Sequence, residues 1–296
     1  GRSRGTELET DATARGPGMN SQIAWIDGSW GNTKELCLPL RDRGLQLGDG
    51  IFETLLIRNG IPQLLDAHLS RWQTSASLLG MATPPAASWL KPLIATALER
   101  CCLQSGDGAL RLNWSRGDGA SRGINLPVNN PDSGSHRFWL ALNAAQPCFT
   151  PLTAMISRHE RRNADSRLSQ CKTFAYAQAI QSRREAQMAD CDDALLLSTS
   201  GELCCGSAAN LIVRRGSDWL TPRLASGCLP GVMRQQGLEQ GWLQESQLTA
   251  TPEAGDQWLL LNSLSCRPIV KLGEHPLTTY SDPQGLWQAL LRTSSS

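Results

Sequence analysis

The hydrophobic and polar positions near the start of the chain predict a β-hairpin. Side chains alternate over residues 52–56, as they do in a strand, and Asn59-Gly60 then turns the chain back on itself. A strand that runs into a Gly-rich turn is predicted over residues 109–123, and another strand over residues 137–144. The polar stretch 125–135 between them is an expected surface loop.

Helical spacing follows the hairpin. Apolar residues recur every three to four positions, which predicts a helix that Asp66 caps and that ends at Gly80, and a second helix over residues 88–104. The second half of the chain predicts a further mixture of strands and helices. The expected strands are residues 153–158, 194–198, 211–214, 258–261 and 268–270, and the expected helices are residues 176–190, 232–240 and 283–291.

The 296 residues are enough for two domains. Antiparallel strands with two helices predict a small N-terminal α+β domain over residues 19–145. A linker over residues 146–151 would join it to a larger C-terminal domain over residues 152–293. Residues 1–18 are polar and Gly-rich, so we expect them to be a disordered extension or a non-native tail.

Charge and cysteine usage narrow the range of partners. The net charge of +1 gives no electrostatic basis for binding nucleic acid or an anionic membrane, so a small-molecule partner is expected. Apolar runs stay far below the roughly 20 residues that span a bilayer. The ten cysteines are scattered without a CxxC pair, which favours reduced thiols in the cytoplasm. The four histidines lack a partner at short ligand spacing, so no metal site is expected.

Lysine is scarce, and one lysine stands directly before an apolar helix start. Of the four in the chain, Lys172 has this position. A desolvated lysine can lose its proton, and the neutral amine then forms an imine with a carbonyl cofactor. Taken alone, Lys172 is more commonly explained as a surface lysine that caps a loop.

Seven motifs, taken in order, change that balance. They are RDRGLQLGDGIFET, HLSR with Arg71, SRGDGASRG, CKTFAYAQAI with Lys172, CGSAANL with Asn210, TPRLASGCLPGVMRQ and LNSLSCRPI. In this order they resemble the class IV aminotransferases, also called fold-type IV pyridoxal-phosphate enzymes. The resemblance runs from about Ile23 to Val270. It implies a two-domain α+β fold with a small N-terminal domain, a larger C-terminal pseudo-barrel domain and the cofactor between them.

The resemblance also implies which residues hold the cofactor, pyridoxal 5′-phosphate. Lys172 is the expected Schiff-base lysine and proton shuttle, and Tyr176 is expected to donate to the phenolate oxygen of the cofactor. Arg71 would bind the phosphate, for which a guanidinium offers fixed, paired donors. Ser263 would add a hydroxyl donor, and Asn210 is a further expected cofactor residue. Without the resemblance, Arg71 would be interpreted as a helix-surface arginine and Ser263 as a turn residue.

A helix start supports the same phosphate site on physical grounds alone. Gly231, Val232 and Met233 lie just before or in the first turn of a predicted helix, where free N–H groups and the helix dipole favour an anion. Pro230-Gly231 could otherwise mark a plain helix start.

Two arginines are candidates for binding the substrate. Arg116 and Arg122 lie in the SRGDGASRG turn, which in the family approaches the substrate side of the pocket. Arg122 could hold a substrate carboxylate. Solvent exposure explains an arginine in such a turn equally well.

One position departs from the family pattern. The family places a glutamate five residues before the Asn of CGSAANL, where it keeps the pyridine nitrogen protonated; here that residue is Cys205. A thiol is a weak hydrogen-bond partner without fixed charge. Glu202 is close, but three residues along a strand put it on the opposite face. We therefore expect a weaker electron sink.

The motifs GDGIFETLLIRNG, LPGVMRQ and NSLSCRP resemble those of aminodeoxychorismate lyases, which remove pyruvate from 4-amino-4-deoxychorismate and yield 4-aminobenzoate for folate synthesis. Aromatisation drives that elimination, so it tolerates a weak electron sink. KTFAY instead resembles the form found in aminotransferases for branched-chain or D-amino acids. A non-catalytic binding protein is a further alternative, against which Lys172 argues. The resemblance also implies a homodimer.

Overall fold

The computed structural model describes residues 22–126 and 132–293. The predicted extension over residues 1–18 and part of the predicted loop over residues 125–135 lie outside these ranges.

An antiparallel sheet of six strands forms the N-terminal half. Its strand order is β2-β1-β6-β5-β3-β4. The strands are β1 (Gln22–Ile26), β2 (Ser29–Gly31), β3 (Gly50–Arg58), β4 (Ile61–Pro62), β5 (Gly108–Ser115) and β6 (Arg137–Ala144). The predicted hairpin and both predicted strands are thereby confirmed. The strand β3 is firmly held in the sheet, because it pairs with β5 along nearly its whole length.

Three helices accompany this sheet: α1 (Arg43–Leu47), α2 (Leu65–Leu78) and α3 (Ala87–Arg100). The prediction that Asp66 caps α2 is wrong. Leu64 occupies the N-cap with a left-handed φ of 54°, and Asp66 lies in the first turn, where its charge still suits the helix dipole. The short helix α1 was not predicted, although Asp42 caps it by accepting from the N–H of Leu45 at 3.1 Å.

The core of this half lies between the sheet and the helices α2 and α3. Ile51 and Leu55 alternate on one face of β3 and are buried together with Trp72 of α2 and Leu90 of α3. Glu53 lies between Ile51 and Leu55 in the same alternation and is also buried, with 1% of its surface exposed. A carboxyl group in such a position needs partners, and α2 supplies them.

A second sheet organises the C-terminal half. Its strands are β7 (Leu152–Arg162), β8 (Asp193–Ser198), β9 (Leu203–Cys205), β10 (Asn210–Arg215), β11 (Asp218–Pro222), β12 (Leu243–Ser246), β13 (Gln257–Asn262), β14 (Ser265–Leu272) and β15 (His275–Pro276). The helices are α4 (Ala177–Met188), α5 (Val232–Glu239) and α6 (Pro283–Leu290). They agree with the predicted helices to within two residues at each end.

Six of these strands close into a ring. The order β10-β13-β14-β7-β8-β9 returns to β10, because β9 pairs with both β8 and β10. Cys205 lies at the closing point, opposite Leu196 on one side and Asn210 on the other. The strand β9 was expected to be part of a turn region, since a strand of three residues is too short to show a periodic pattern.

A short backbone ladder joins the two halves. The N–H of Phe52 donates to the carbonyl of Lys172 at 3.0 Å, and the N–H of Phe174 donates to the carbonyl of Gly50 at 3.0 Å. Ile51 and Thr173 form the bridge between them. The segment that carries Lys172 is therefore fixed to the edge of β3.

The helices in the described ranges are all too short or too polar to cross a membrane.

Candidate functional site

A cavity of about 460 Å³ opens where the ring of strands meets β3 and α2. Each residue predicted to contact the cofactor lines it. These residues are Arg71, Lys172, Tyr176, Cys205, Asn210, Gly231, Val232, Met233 and Ser263. Residues from distant parts of the sequence thus converge on one space large enough for a small molecule.

The amine of Lys172 lies inside this cavity. Its Nζ donates to the hydroxyl oxygen of Tyr176 at 3.0 Å and lies 4.5 Å from the centre of the Phe52 ring. Tyr176 ends the loop that carries Lys172, at the N-terminus of α4. The ladder to β3 fixes the backbone, and the two aromatic rings restrict the side chain.

One wall of the cavity is the N-terminus of α5. Gly231 is its N-cap, so the N–H groups of Val232 and Met233 have no acceptor within the helix. Asn210 donates from Nδ2 to the carbonyl of Leu229 at 2.9 Å and thereby holds the preceding turn. A Cβ at Gly231 would collide with the Oδ1 of Asn210, so only glycine allows this approach.

Arg71 faces the same helix start from α2. Its Nη1 donates to the carbonyl of Pro230 at 3.2 Å. Its other donors bind Glu53, from Nε to Oε2 at 3.0 Å and from Nη2 to Oε1 at 2.6 Å. A bidentate pair of this kind fixes the plane of the guanidinium.

His68 extends this pair into a network that the sequence did not indicate. Its Nδ1 lies 2.7 Å from the Oε1 of Glu53, and its Nε2 lies 3.4 Å from the hydroxyl of Ser263. Ser263 follows β13, on the other side of the cavity. The spacing HLSR places His68 and Arg71 three residues apart on one face of α2, which is the signal that could have revealed the network.

Burial and pairing set the charges in this network. Burial would raise the pKa of Glu53, but the charge of Arg71 and the hydrogen bond from His68 outweigh it and hold the pKa below 4.5. Burial lowers the pKa of His68 below 6.5, against the opposing effect of Glu53. At neutral pH Glu53 is ionised and His68 is neutral.

Cys205 lines the cavity where β9 closes the ring of strands. A hydrogen bond with Cys204 and burial raise the pKa of its thiol well above 9.0, so the sulfur is protonated at neutral pH. Arg162 also lines the cavity, with its Nε donating to the carbonyl of Gly227 at 3.0 Å. The expectation for Glu202 is confirmed: its two carboxylate oxygens accept from Arg223, each at 2.9 Å, and Glu202 does not line the cavity. The described residues that line the cavity therefore include no carboxylate.

The two arginines predicted for the substrate are not brought to the cavity. Arg116 binds Asp49 at 2.9 Å and the carbonyls of Leu79 and Gly80 at 3.0 and 2.8 Å, so its guanidinium serves the fold. The position of Arg116 in a turn was compatible with this structural role as well as with the predicted role in substrate binding. Arg122 is exposed and away from the lining residues.

Another arginine, which the sequence did not single out, contacts the same aromatic ring as Lys172, although it does not line the cavity. Arg111 of β5 has its guanidinium carbon 3.7 Å from the centre of the Phe52 ring, the same ring that Lys172 contacts. Its Nε donates to the Oδ1 of Asn113 at 2.6 Å. The guanidinium and the candidate catalytic amine thus share one aromatic contact.

The donors in the cavity suit a phosphate monoester at one end. A guanidinium, two free helix N–H groups and a hydroxyl face one another, and an amine lies farther along the same space. Among the described residues, His, Cys, Asp and Glu side chains form no group of three or more that could hold a metal ion.

Comparisons with known proteins agree with this geometry. The sequence profile of the amino-transferase class IV family matches residues 50–272. An aminodeoxychorismate lyase of Bacillus subtilis (strain 168) is 24% identical over 262 residues, which cover 85% of this chain and 87% of that protein.

Solved structures share the architecture. A fold IV transaminase from Curtobacterium pusillum matches with a TM-score of 0.78 and 21% identity, covering 92% of this chain and 97% of the other. The pyridoxal-phosphate-bound form of a hypothetical aminotransferase from Mycobacterium tuberculosis matches with a TM-score of 0.74 and 19% identity, covering 90% and 97%. The predicted fold class, a small α+β half beside a pseudo-barrel, is confirmed.

Proposed function

Because the chain belongs to the class IV aminotransferase family, we propose that it is a pyridoxal-5′-phosphate-dependent lyase that converts 4-amino-4-deoxychorismate into 4-aminobenzoate and pyruvate. The observation that carries the proposal is the placement of the Lys172 amine in one cavity with an anion-binding wall made by Arg71, the α5 N-terminus and Ser263.

The residues present fit the cofactor at two of three points. Arg71, Val232, Met233 and Ser263 offer donors for its phosphate, and Lys172 offers an amine for its aldehyde. At the third point, the ring nitrogen, Cys205 offers a neutral thiol. When bound, the cofactor supplies an electron-withdrawing ring. This ring stabilises the negative charge that remains when a bond to the carbon bearing the substrate nitrogen breaks.

The chain itself supplies proton transfer and orientation. The Nζ of Lys172 is the candidate base that takes the proton from the substrate ring, since it is the one lysine amine among the described residues that line the cavity. The Tyr176 hydroxyl, at 3.0 Å, orients that amine. The Phe52 ring and the backbone ladder to β3 keep Lys172 in place.

The Cys205 thiol supports elimination over transamination. A neutral thiol cannot hold a proton on the ring nitrogen as a carboxylate does, so negative charge is stabilised less well in the ring. Loss of pyruvate from 4-amino-4-deoxychorismate creates an aromatic ring, and this driving force reduces the demand on the cofactor. The B. subtilis relative bears the name of that activity.

The proposed substrate carries carboxylate groups, and Arg111 is a candidate to bind one from outside the cavity lining. Arg111 is exposed, and its guanidinium carbon lies 3.7 Å from the centre of the Phe52 ring, which Lys172 also contacts. A guanidinium offers paired donors that match the two oxygens of a carboxylate.

One assay tests the proposal. The cofactor-loaded protein is incubated with 4-amino-4-deoxychorismate and, separately, with amino acids plus 2-oxoglutarate. We expect pyruvate and 4-aminobenzoate in equal amounts in the first reaction and little glutamate in the second. Glutamate formation without 4-aminobenzoate would overturn the lyase proposal.

An aminotransferase acting on branched-chain or D-amino acids is the second candidate function. The observation that favours it is the hydrogen bond between Tyr176 and Lys172, because the segment KTFAY that places this tyrosine resembles the aminotransferase form. The 2-oxoglutarate reaction of the same assay detects it.

A homodimer in the cytoplasm belongs to the same proposal. Apolar side chains are exposed on the N-terminal half near the predicted substrate turn, among them Leu40 at 83% and Ile124 at 77%. Such a surface is typical of a protein interface. Light scattering on the purified chain tests it, with twice the mass of one chain expected and the mass of one chain contradicting it.

A further inference from the structure

Glu53, His68 and Ser263 connect the two sides of the anion-binding wall through buried hydrogen bonds. Glu53 and His68 are each 1% exposed, and neither has a role in the proposed reaction. Their placement limits the charge of the wall. Arg71 is already neutralised by Glu53 at 2.6 Å, so the wall offers a phosphate dianion no net positive charge from this pair.

Hydrogen-bond directions fix the orientation of the Ser263 hydroxyl in the free protein. Because Glu53 is ionised, the His68 Nδ1 carries a proton and donates to Oε1 at 2.7 Å. Neutral His68 then has a lone pair on Nε2, and the Ser263 hydroxyl must donate to it across 3.4 Å. In that arrangement the single hydroxyl proton of Ser263 points away from the cavity.

A phosphate dianion that enters the cavity requires the Ser263 hydroxyl proton to point the opposite way. Ser263 can donate to a phosphate oxygen only if it turns a lone pair toward His68. Two lone pairs then face each other unless Nε2 carries a proton. A second proton on His68 removes that repulsion and adds one positive charge behind the wall.

We propose that His68 takes up a proton from solvent when a phosphate ester binds in this cavity, and that Glu53 and His68 are the positioning residues of the phosphate site. The inference rests on the proposed cofactor. Glu53 fixes Nε and Nη2 of Arg71. Nη1 donates one N–H to the carbonyl of Pro230 and keeps its second N–H for the anion. Cationic His68 turns the Ser263 hydroxyl toward the same anion.

The groups that face His68 change its pKa in opposite directions. Glu53 from β3 favours the cation. Arg71 from α2 and Lys172 from the segment before α4 oppose it, as does burial, so the pKa of His68 lies below 6.5 before the anion arrives. Ser263 from the turn after β13 is uncharged. A dianion next to Arg71 and Ser263 shifts this balance toward the cation.

Affinity for the anion should therefore depend on pH. The pKa of His68 is higher with the anion bound than without it, so affinity is greatest below the lower pKa and falls as pH rises through the higher one. The phosphate of the cofactor is a dianion above about pH 6. Between about pH 7 and 8.5, affinity should fall by up to about tenfold per pH unit through this proton.

Histidine side-chain nitrogen NMR on the full chain tests the inference directly. Spectra at neutral pH are compared without ligand, with pyridoxal 5′-phosphate and with pyridoxal, and the His68→Gln variant identifies the His68 signals. We expect His68 to be neutral in the free protein and with pyridoxal, and cationic with pyridoxal 5′-phosphate. The same charge in all three spectra, or a change with pyridoxal as well, would overturn it.

A binding experiment adds a second readout. Dissociation constants for pyridoxal 5′-phosphate are measured at about pH 7 and 8.5 for wild type, His68→Gln and the exposed control His159→Gln. Wild type and the control should lose affinity relative to His68→Gln as pH rises. Equal pH dependence in all three contradicts the inference, while the proposed function stands as long as the cofactor binds. Absence of any cofactor binding to wild type removes both proposals.

Discussion

The N–H of Phe52 donates to the carbonyl of Lys172 at 3.0 Å, which ties the candidate catalytic lysine to a strand 120 residues earlier in the sequence. Because β3 is itself held by β5 along its length, the lysine segment inherits the rigidity of the N-terminal sheet. Helix α2, which packs on β3, carries Arg71 and His68. One strand therefore positions both the amine of Lys172 and the helix that contributes Arg71 to the anion-binding wall.

Replacing Arg71 by lysine should weaken cofactor binding through the phosphate. The guanidinium of Arg71 binds both oxygens of Glu53 and still presents a nitrogen to the cavity. A lysine keeps the positive charge, but its single nitrogen cannot do both. We expect affinity for pyridoxal 5′-phosphate to fall about 10- to 100-fold, from the loss of a charged hydrogen bond. Affinity for pyridoxal, measured in the same titration, should change far less. Equal losses for both ligands would show that Arg71 does not bind the phosphate.

Replacing Cys205 by glutamate should shift the balance of reactions. A carboxylate in place of the protonated thiol would hold a proton on the ring nitrogen of a bound cofactor. We expect glutamate formation from amino acids plus 2-oxoglutarate to rise by about tenfold or more relative to 4-aminobenzoate formation. Nitrogen NMR of labelled cofactor should show more complete ring protonation in the variant. Cys228→Ser, a change at a buried cysteine outside the cavity lining, is the control. Ring protonation equal to that of wild type would refute the assigned role of Cys205.

Glu53 should contribute stability that depends on pH. Its pKa in the folded chain lies below 4.5, so its contribution is complete above that pH and is lost as pH falls through the lowered value. Glu53→Gln leaves Arg71 without its buried partner and should destabilise the chain by about 3–5 kcal/mol at neutral pH. Urea unfolding at about pH 7 and about pH 4 measures the difference, which should shrink at the lower pH. The fully exposed Glu274→Gln serves as the control. A difference that is unchanged or larger at the lower pH would contradict this assignment.

Arg111 should affect substrate binding more than turnover. Its guanidinium carbon lies 3.7 Å from the centre of the Phe52 ring, which Lys172 also contacts. The Arg111→Gln variant would lose the charged partner of a substrate carboxylate bound there. We expect KM for 4-amino-4-deoxychorismate to rise about tenfold or more, with a smaller change in kcat. Arg58→Gln, at the exposed end of β3, should leave both unchanged. A large fall in kcat at constant KM would argue against a binding role.

Much of the fold was predictable because its elements follow regular periods. The strand β6 begins and ends at the predicted residues, and helices α4 to α6 were predicted within two residues. The short elements α1 and β9 escaped prediction, because five and three residues are too few to show a period. The cap of α2 was mispredicted, since Asp66 has the residue type of a cap while Leu64 adopts the backbone geometry.

The residues of the candidate site were predictable where a sequence motif contains them with a known role. They were not predictable where their role depends on tertiary contacts. Motif order led to Lys172 and Arg71, and a physical argument led to Gly231. Glu53 and His68 lie in the same motifs, but their hydrogen bond joins residues from a strand and a helix that no local pattern relates. Arg116 shows the converse, since a position in a suitable turn did not determine where its guanidinium points.

The most direct test is to trap the cofactor on its lysine. The chain is loaded with pyridoxal 5′-phosphate, reduced with borohydride, digested and mapped by mass spectrometry, with Lys172→Ala as the matched variant. We predict a reduced phosphopyridoxyl group on Lys172 in wild type and none at that position in the variant, together with loss of 4-aminobenzoate formation. Absence of an adduct on Lys172, or an adduct confined to Lys34, Lys91 or Lys271, would contradict the assignment of Lys172 as the residue that binds the cofactor.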